Sequence, residues 1–402
     1  MKKVQLTYKF RLYPKEEQEN KMLETLELCR QIYNHFLAQW NKNRDGDGRD
    51  RDKDRAKIPS RLELQSQLPK LKKENLELCK VHSKVLQMVI YQLYSNLKAL
   101  SKLKRNGKKV GRLRFKSKGR FKTFCYNQSG FKLIKTRKRL DLLHLSKIDD
   151  IPIRVHRQVE GKVKQITIKR HSSGKWFACI SVEVEEEINV NNVNNVIQRE
   201  KRVIGIDVGV KHLPTDSNGR QIENPKFYEQ SLQRIRIKHK KLSRKKKGSR
   251  NREKQRIRLA RAYEKIVNQR DDFLHKLARF YANNYDVICV ENLNIKSMVK
   301  AGNHNLAKKI RDASWSKFLH MLEFKAERAG ALVVKVNPRG TSQEYKHGKI
   351  DRDYNASLNI LERGLSVSGL GRSFEPAEME PLLAIPASSI VEAGSPQPFR
   401  GG

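Results

Sequence analysis

Acidic residues close two short apolar runs of this sequence, and a third acidic cluster opens an amphipathic segment near its end. Asp207 follows the run VIGI, Glu291 follows VICV, and Asp353 belongs to the segment DRDYNA. Short β-branched runs bounded by turn residues are typical of buried strands, so Asp207 and Glu291 are predicted at strand ends. Asp353 is predicted at the start of the final helix. Three carboxylates on three elements could therefore converge on one site.

Such a convergence would require a cation, because buried charges are unfavourable without a partner of opposite sign. Oxygen ligands without His or Cys suit Mg²⁺, or Mn²⁺ in its place, better than zinc. Two such ions, about 4 Å apart, can activate a water and stabilise the leaving oxygen of a phosphodiester. Each acid alone is equally typical of a turn or a helix cap. The triplet at three predicted element ends favours a metal-dependent nuclease site.

The composition indicates a polyanionic partner. Lys and Arg total 86 against 43 acidic residues in 402, a formal net charge of +43. Membrane surfaces are also polyanionic, but the sequence has no apolar run of about eighteen residues and no signal peptide. We therefore expect nucleic acid as the partner, and no membrane. The five cysteines show no C-x-x-C spacing, which predicts reduced thiols in a reducing cytosol and no zinc ribbon.

Two basic segments are candidate nucleic-acid contacts. Residues 102–122 interleave Phe115 and Phe121 with cations, and rings can stack on bases while cations neutralise phosphates; a solvated basic hairpin with core-facing rings is the alternative. Residues 234–261 contain fifteen Lys or Arg and one acid, broken at Gly248, and this density favours phosphate binding over a nuclear-localisation tract. The candidate contacts are Arg112, Arg114, Lys116, Arg120, Lys241, Arg244, Lys245, Lys246, Lys247, Arg250 and Arg252.

The chain is too long for one ordinary core, and its patterns predict two or three domains. Alternation at residues 4–12 predicts a strand, residues 15–103 have mostly helical spacing, and residues 123–188 turn to strands. The first strand would pair with the later ones, so that the helical block interrupts an all-β module. A tail rich in Pro, Ser, Gly and Glu at residues 364–402 is expected to be disordered.

The second half of the chain has a different order of elements. Three strands precede two long helices, and a strand, a helix, a strand and a final helix follow. This order resembles the RNase H fold, in which the first and fourth strands are neighbours. That adjacency would place Asp207 beside Glu291.

Nine motifs are spread along the chain in this order: YKFRLYP (8–14), YNHFL (33–37), GRLRFKSKGRFKTF (111–124), GIDVGVK (205–211), LSRKKKGSRNREK (242–254), NQRDDFLHKL (268–277), VENLNIKSM (290–298), NPRGTSQ (337–343) and DRDYNASLNIL (351–361). Together they resemble the TnpB family of transposon-encoded proteins, the OrfB-type RNA-guided DNA endonucleases related to type V CRISPR effectors. The resemblance covers nearly the whole chain. It implies that Asp207, Glu291 and Asp353 are catalytic acids that bind two Mg²⁺ ions.

The resemblance also implies a multidomain α+β fold. A β-barrel wedge domain with an inserted helical recognition lobe would precede an RNase H-like RuvC nuclease domain. The implied boundaries are 1–14 and 104–188 for the split wedge domain, 15–103 for the lobe, 189–200 for a linker, and 201–363 for the nuclease domain with a basic helical hairpin at 229–284.

The family's partners are a guide RNA from the transposon end and double-stranded target DNA. The guide pairs with the target strand, and the protein reads a short motif beside the target. Gln87 is the candidate contact to this motif. The resemblance implies an RNA-guided DNA endonuclease that acts as a monomer in its ribonucleoprotein, in the prokaryotic cytoplasm and at the nucleoid when bound to DNA.

One departure from the family lies between the last two motifs. In the family, two C-x-x-C pairs form a zinc-binding knuckle here, whereas residues 344–350 replace them in this chain, so no zinc is expected. The fourteen residues 337–350 can still reach up to roughly 45 Å. Because the knuckle helps to handle substrate strands in relatives, the alternative is a cleavage-impaired RNA-guided DNA-binding protein or repressor. A non-specific basic protein would instead bind unrelated RNAs equally well.

Overall fold

A computed structural model of the chain describes residues 2–44, 59–137, 139–186, 202–344, 350–368 and 383–385. The chain forms two compact units, Met1–Ile188 and Asn189–Gly402. The linker predicted at 189–200 lies outside the described residues. No helix in the described ranges is long and apolar enough to cross a membrane.

The first unit contains a seven-stranded antiparallel sheet. Its strands are β1 (Lys2–Leu12), β2 (Thr123–Asn127), β3 (Phe131–Ile134), β4 (Asp141–Leu145), β5 (Asp149–Arg154), β6 (Lys162–Arg170) and β7 (Trp176–Glu186). They lie in the order β2, β6, β7, β1, β5, β4, β3. β1 pairs along its whole length with β7, from Lys2 opposite Glu186 to Leu12 opposite Trp176. The predicted pairing of the first strand with strands beyond the helical block is confirmed.

The α-helices described in this unit lie between β1 and β2 in sequence, with a 3-10 helix at Leu76–Lys80. They are α1 (Glu16–Arg44), α2 (Arg61–Ser66), α3 (Leu68–Glu74) and α4 (Ser83–Arg105). α4 packs against α1 and β2, and the apolar residues that repeat at helical spacing form its buried face: Val85, Leu86, Val89, Ile90 and Leu93. These side chains join the sheet residues in one core, so the helical block shares the hydrophobic core of the sheet.

The second unit contains a six-stranded mixed sheet. Its strands are β8 (Val203–Asp207), β9 (His212–Asp216), β10 (Arg220–Glu223), β11 (Val287–Glu291), β12 (Leu332–Val336) and β13 (Leu383–Ile385). They lie in the order β12, β11, β8, β9, β10, β13. β11 runs parallel to both β8 and β12, while β9 runs antiparallel to β8 and β10. The predicted adjacency of the first and fourth strands, β8 and β11, is therefore confirmed.

Seven helices are described in the second unit. They are α5 (Phe227–Gln230), α6 (Leu232–Ser243), α7 (Arg250–Asn284), α8 (Ile295–Ala301), α9 (His304–Ala313), α10 (Trp315–Ala329) and α11 (Arg352–Val367). α6 and α7 are the predicted basic helices, separated at Gly248, whose φ of +84° favours glycine. The sequence predicted one helix between β11 and β12, but there are three. The two helices that were missed are short: α8 has seven residues and α9 has ten, with only Ala307, Ile310 and Ala313 buried in α9.

The predicted start of the disordered tail at residue 364 is wrong. α11 continues to Val367, and Leu383–Ile385 pair in parallel with β10. Gly364 disfavours a helix interior by propensity, but in α11 it permits close packing. A Cβ atom at Gly364 would lie 2.2 Å from Cys289 Sγ on β11.

A second glycine brings α11 close to β8. A Cβ atom at Gly205 would lie 2.1 Å from the carbonyl oxygen of Ser357 and 2.8 Å from Leu361 Cβ. Real Cβ atoms do not approach other atoms so closely, so only glycine fits where the helix crosses the strand. This crossing fixes the position of the first turn of α11 relative to the end of β8.

We predict that Gly205→Ala destabilises the second unit. The added methyl group must push α11 away from β8, and overpacking of this kind lowers the free energy of unfolding by about 1–3 kcal/mol. Urea unfolding followed by circular dichroism measures this change. Gly111→Ala is the matched control, since a Cβ atom there has no neighbour within 4 Å. Equal stability of Gly205→Ala and the wild type would contradict the close crossing.

Candidate active site

The three predicted acids lie at adjacent element ends in the second unit. Val290 on β11 pairs with Ile206 on β8 in parallel register, so Glu291 and Asp207 follow side by side at the same sheet edge. Asp353 lies in the first turn of α11, and its Oδ2 atom is 3.5 Å from the position that a Cβ atom would occupy at Gly209. The fold therefore brings the three carboxylates into one cluster, which we call the acidic cluster.

The position of Asp353 is set by the cap of α11. The Asp351 side chain accepts hydrogen bonds from the backbone N–H groups of Asp353 (3.0 Å) and Tyr354 (3.1 Å). Its Oδ1 atom also accepts from Gln221 Nε2 on β10 at 3.1 Å. The cap thus ties the start of the helix to the sheet. A carboxylate in this first turn also lies in the favourable field of the helix N-terminus.

Positive charge balances the acidic cluster only in part: Arg352 Nε lies 3.7 Å from Asp353 Oδ1. Burial, together with the charges of Glu291 and Asp353, raises the pKa of Asp207 to about 7. Burial also raises the pKa of Glu291, although the Thr341 hydroxyl and the charge of Arg363 oppose this effect. Carboxylates that repel one another in a low-dielectric site favour either a proton or a bound cation.

Two threonines of the site were not predicted from the sequence. Thr341 is 1% exposed and donates its hydroxyl hydrogen bond to Glu291 Oε1. Thr215 lies opposite Asp207 in the β8–β9 pair, is also 1% exposed, and its hydroxyl has no hydrogen-bond partner among the described residues. Thr341 belongs to the motif NPRGTSQ just beyond β12, a position that could have suggested a role. Nothing in the sequence distinguished Thr215.

The chemistry of this donor set fits a hard divalent cation. Its three carboxylates offer only oxygen ligands, and a coordinated water could satisfy the buried Thr215 hydroxyl. Within the described ranges, no three His, Cys, Asp or Glu side chains already stand at metal-ligand spacing. Thr341 holds Glu291. A cation would have to draw the three groups together.

The basic candidates at the turn between α6 and α7 differ in their surroundings. Arg252 donates from Nη1 to the carbonyl oxygens of Leu242 (2.8 Å) and Lys245 (2.9 Å), so its guanidinium closes the turn. The structure therefore gives Arg252 a structural role. The other candidates are exposed, and we call them the hairpin cations: Lys241, Arg244, Lys245, Lys246, Lys247 and Arg250.

The basic segment that follows α4 contains no strand between residues 106 and 122, so the alternative basic hairpin is not formed. Asn34 of α1 holds its backbone at Lys116, through hydrogen bonds to the N–H (2.8 Å) and carbonyl (2.9 Å) groups. Phe115 is 57% exposed, whereas Phe121 is 6% exposed and packs in the core. Phe121 is thus a core residue and cannot stack on a base. The four candidate contacts in this segment are exposed: Arg112, Arg114, Lys116 and Arg120.

Gln87 lies half-buried near the start of α4 in the first unit. The acidic cluster belongs to the second unit.

All five cysteines are free thiols, and Cys79 is exposed.

Three family models match the chain. A model described as "Probable transposase" matches residues 179–302, a "Helix-turn-helix domain" model matches residues 1–49, and a "Cas12f1-like, TNB domain" model matches residues 315–360. The third range contains Thr341 and Asp353. In the described part of residues 1–49 the chain forms β1 and α1.

Two proteins are similar to this chain over almost its full length. The "Putative RNA-guided DNA endonuclease" of Streptomyces pristinaespiralis is 28% identical and covers 94% of this chain and 93% of its own length. The "Putative RNA-guided DNA endonuclease InsQ" of Escherichia coli K12 is 28% identical and covers 97% of this chain and 100% of its own length. A solved Cas12f1–sgRNA–target DNA complex contains a chain of similar fold. It aligns with a TM-score of 0.54 and 16% identity, over 89% of this chain and 98% of that one.

We predict a pH-dependent stability that is specific to Asp207 when divalent cations are chelated. Because the folded-state pKa is raised from 3.8 to about 7, the folded protein binds a proton between these values that the unfolded chain does not. Wild type should therefore gain stability relative to Asp207→Asn as the pH falls from 7 towards 4, by up to about 1.4 kcal/mol per pH unit. The gain is lost as the pH rises through 7.

Urea unfolding of both proteins in EDTA, at intervals between pH 5 and pH 8, measures this difference. Titrating groups far from Asp207 cancel in the comparison because both proteins carry them, and the difference reports Asp207 together with the carboxylates coupled to it. Parallel curves for the two proteins would contradict the raised pKa.

Proposed function

We propose that this chain, which belongs to the TnpB family of transposon-encoded proteins, is an RNA-guided DNA endonuclease that hydrolyses target DNA at its acidic cluster. The observation that carries this proposal is the convergence of Asp207, Glu291 and Asp353 at the ends of β8 and β11 and the start of α11. Relatives of nearly equal length are named RNA-guided DNA endonucleases, and the net charge of +43 suits a chain that holds RNA and DNA.

We assign the first unit to a β-barrel wedge domain with an inserted helical recognition lobe. The pairing of β1 with β7 across the helical block supports this assignment. We assign the second unit to an RNase H-like RuvC nuclease domain. The strand order β12, β11, β8, β9, β10, with β8 and β11 parallel, supports it.

In this proposal the three acids hold two Mg²⁺ ions, for which Mn²⁺ can substitute. When bound, such ions activate a water and stabilise the leaving oxygen of the phosphodiester. The chain's own contribution is to position the acids. β8 and β11 present Asp207 and Glu291 side by side, and the Asp351 cap fixes Asp353 above them. Burial keeps the cluster in a low dielectric, where its charges interact strongly.

Target selection belongs to the guide RNA, which pairs with one DNA strand, while the protein reads a short motif beside the target. We retain Gln87 on α4 as the candidate contact to that motif. The hairpin cations and the exposed cations of residues 106–122 are the proposed phosphate contacts. We further propose that one copy of the chain acts per ribonucleoprotein, in the prokaryotic cytoplasm.

We predict that Asp207→Ala abolishes guide-dependent plasmid cleavage in Mg²⁺ and leaves guide-RNA binding unchanged. The substitution removes a cation ligand and no positive charge, so the attraction to RNA persists. Cleavage is measured with the protein co-expressed with its transposon-end RNA, and RNA binding by gel shift. The matched control is Asp272→Asn, an exposed acid paired with Lys276 on α7. Undiminished cutting by Asp207→Ala would contradict the assignment of the site.

The same assay separates the second candidate function, which the short connection at residues 344–350 favours. Guide-dependent linear product from the wild type supports the endonuclease. A guide-specific DNA complex that leaves the plasmid intact would instead identify a cleavage-impaired RNA-guided DNA-binding protein.

We predict that Lys245→Gln/Lys246→Gln weakens guide-RNA binding and lowers its salt dependence. Each lost phosphate contact reduces the slope of log affinity against log salt concentration by about 1. Filter binding measures this slope at salt concentrations of roughly 50 to 300 mM, where the release of counterions dominates the change in affinity. Lys70→Gln/Lys73→Gln on α3 removes the same charge from an exposed surface outside the proposed contacts. Equal slopes for the two double variants would show that the turn does not contact phosphates.

A further inference from the structure

The segment that follows β12 reaches the acidic cluster through one side chain. Thr341 donates its hydroxyl hydrogen bond to Glu291 Oε1. The carbonyl oxygen of Pro338 is the other acceptor within reach, at 3.1 Å. One hydroxyl proton cannot serve both, and a carboxylate is the stronger acceptor. The hydroxyl is therefore committed to Glu291.

Arg363 of α11 holds the backbone of this segment. Its Nη1 atom donates to the carbonyl oxygens of Asn337 (3.1 Å) and Arg339 (2.7 Å). Its Nη2 atom donates to Glu344 Oε1 at 2.5 Å. One guanidinium thus fixes both ends of residues 337–344, which we call the clamp segment.

Two buried asparagines of α11 fix the remainder of the clamp segment. Asn359 Nδ2 donates to the carbonyl oxygens of Thr341 (2.8 Å) and Glu344 (2.7 Å). Asn355 Nδ2 donates to the same Glu344 oxygen at 2.8 Å. Buried side-chain amides in such contacts are expensive to rearrange. The Thr341 hydroxyl is therefore held at a defined place relative to α11.

We infer that Thr341 is a positioning residue that orients the Glu291 carboxylate for a divalent cation at the acidic cluster. The inference rests on the proposed function, because it takes Glu291 as a cation ligand. The hydrogen bond engages Oε1 and restrains rotation of the carboxylate, so it limits the orientations in which Glu291 can meet a cation. Partners that orient a ligating group typically change metal affinity or activity by 10–100-fold when they are removed.

The test measures Mn²⁺ binding to the full-length protein without nucleic acid, by electron paramagnetic resonance, so that no cleavage is required. Thr341→Val keeps the shape of the side chain but loses the hydroxyl, and should weaken Mn²⁺ binding about tenfold or more. Thr341→Ser keeps the hydroxyl and should bind as the wild type does. Thr25→Val removes a buried hydroxyl that bonds only a carbonyl in α1, and should leave binding unchanged.

A double-mutant cycle distinguishes positioning from packing. If Thr341 acts through Glu291, Thr341→Val should cause no further loss of Mn²⁺ affinity in a Glu291→Gln background. Wild-type affinity in Thr341→Val, or an equal loss in Thr341→Ser, would overturn the inference. Thermal melts check folding, and Thr341→Ala replaces the Val variant if that variant does not fold.

The failure of the inference and the failure of the proposed function have different signatures. A wild type that binds Mn²⁺ no better than Asp207→Asn overturns the proposed cation site, and the role of Thr341 with it. Mn²⁺ binding that depends on Asp207 and Thr341, in a protein that cuts no plasmid, supports the inference and overturns the endonuclease.

Discussion

The acidic cluster depends on how closely α11 packs against the sheet of the second unit. Gly205 on β8 and Gly364 on α11 leave no room for side chains, so α11 meets β8 through backbone atoms at Gly205 and the Cys289 side chain of β11 at Gly364. This approach carries Asp353 to the residues that follow Asp207. The same helix reaches the clamp segment through Arg363 near its other end. The single helix α11 thereby positions Asp353 and also holds the clamp segment that supports Glu291.

Electrostatic repulsion within the acidic cluster opposes the close packing of the elements that form it. Burial and two carboxylate neighbours make ionised Asp207 unfavourable, while the Asp351 cap holds the backbone of Asp353 and the Thr341 hydroxyl holds the Glu291 carboxylate. The packed elements cannot separate without opening the core between sheet and helices. Ionised Asp207 therefore stays unfavourable unless a proton or a cation binds. Sites that store such unfavourable charge are typical of functional centres.

Local sequence patterns were sufficient for the acids but not for the groups that support them. β8 and β11 were predictable because short β-branched runs are typical of buried strands. Asp207 and Glu291 come directly after those runs. Thr341 acts on Glu291 fifty residues away, and this contact exists only after α11 has packed. The pattern of Phe115 and Phe121 is the same in sequence, yet one ring is exposed and the other lies in the core. Arg252 likewise differs from its basic neighbours only because it meets two carbonyl oxygens.

The clamp segment bears on the short connection at residues 344–350, where the family has a zinc-binding knuckle. The donors that hold the clamp segment lie after that connection, on α11, and their acceptors end at Glu344, its first residue. Asn355, Asn359 and Arg363 reach back across it to the carbonyl oxygens and to Glu344. These hydrogen bonds join β12 to the final helix without any cysteine among them. The hydrogen bonds that hold Glu291 therefore need no knuckle.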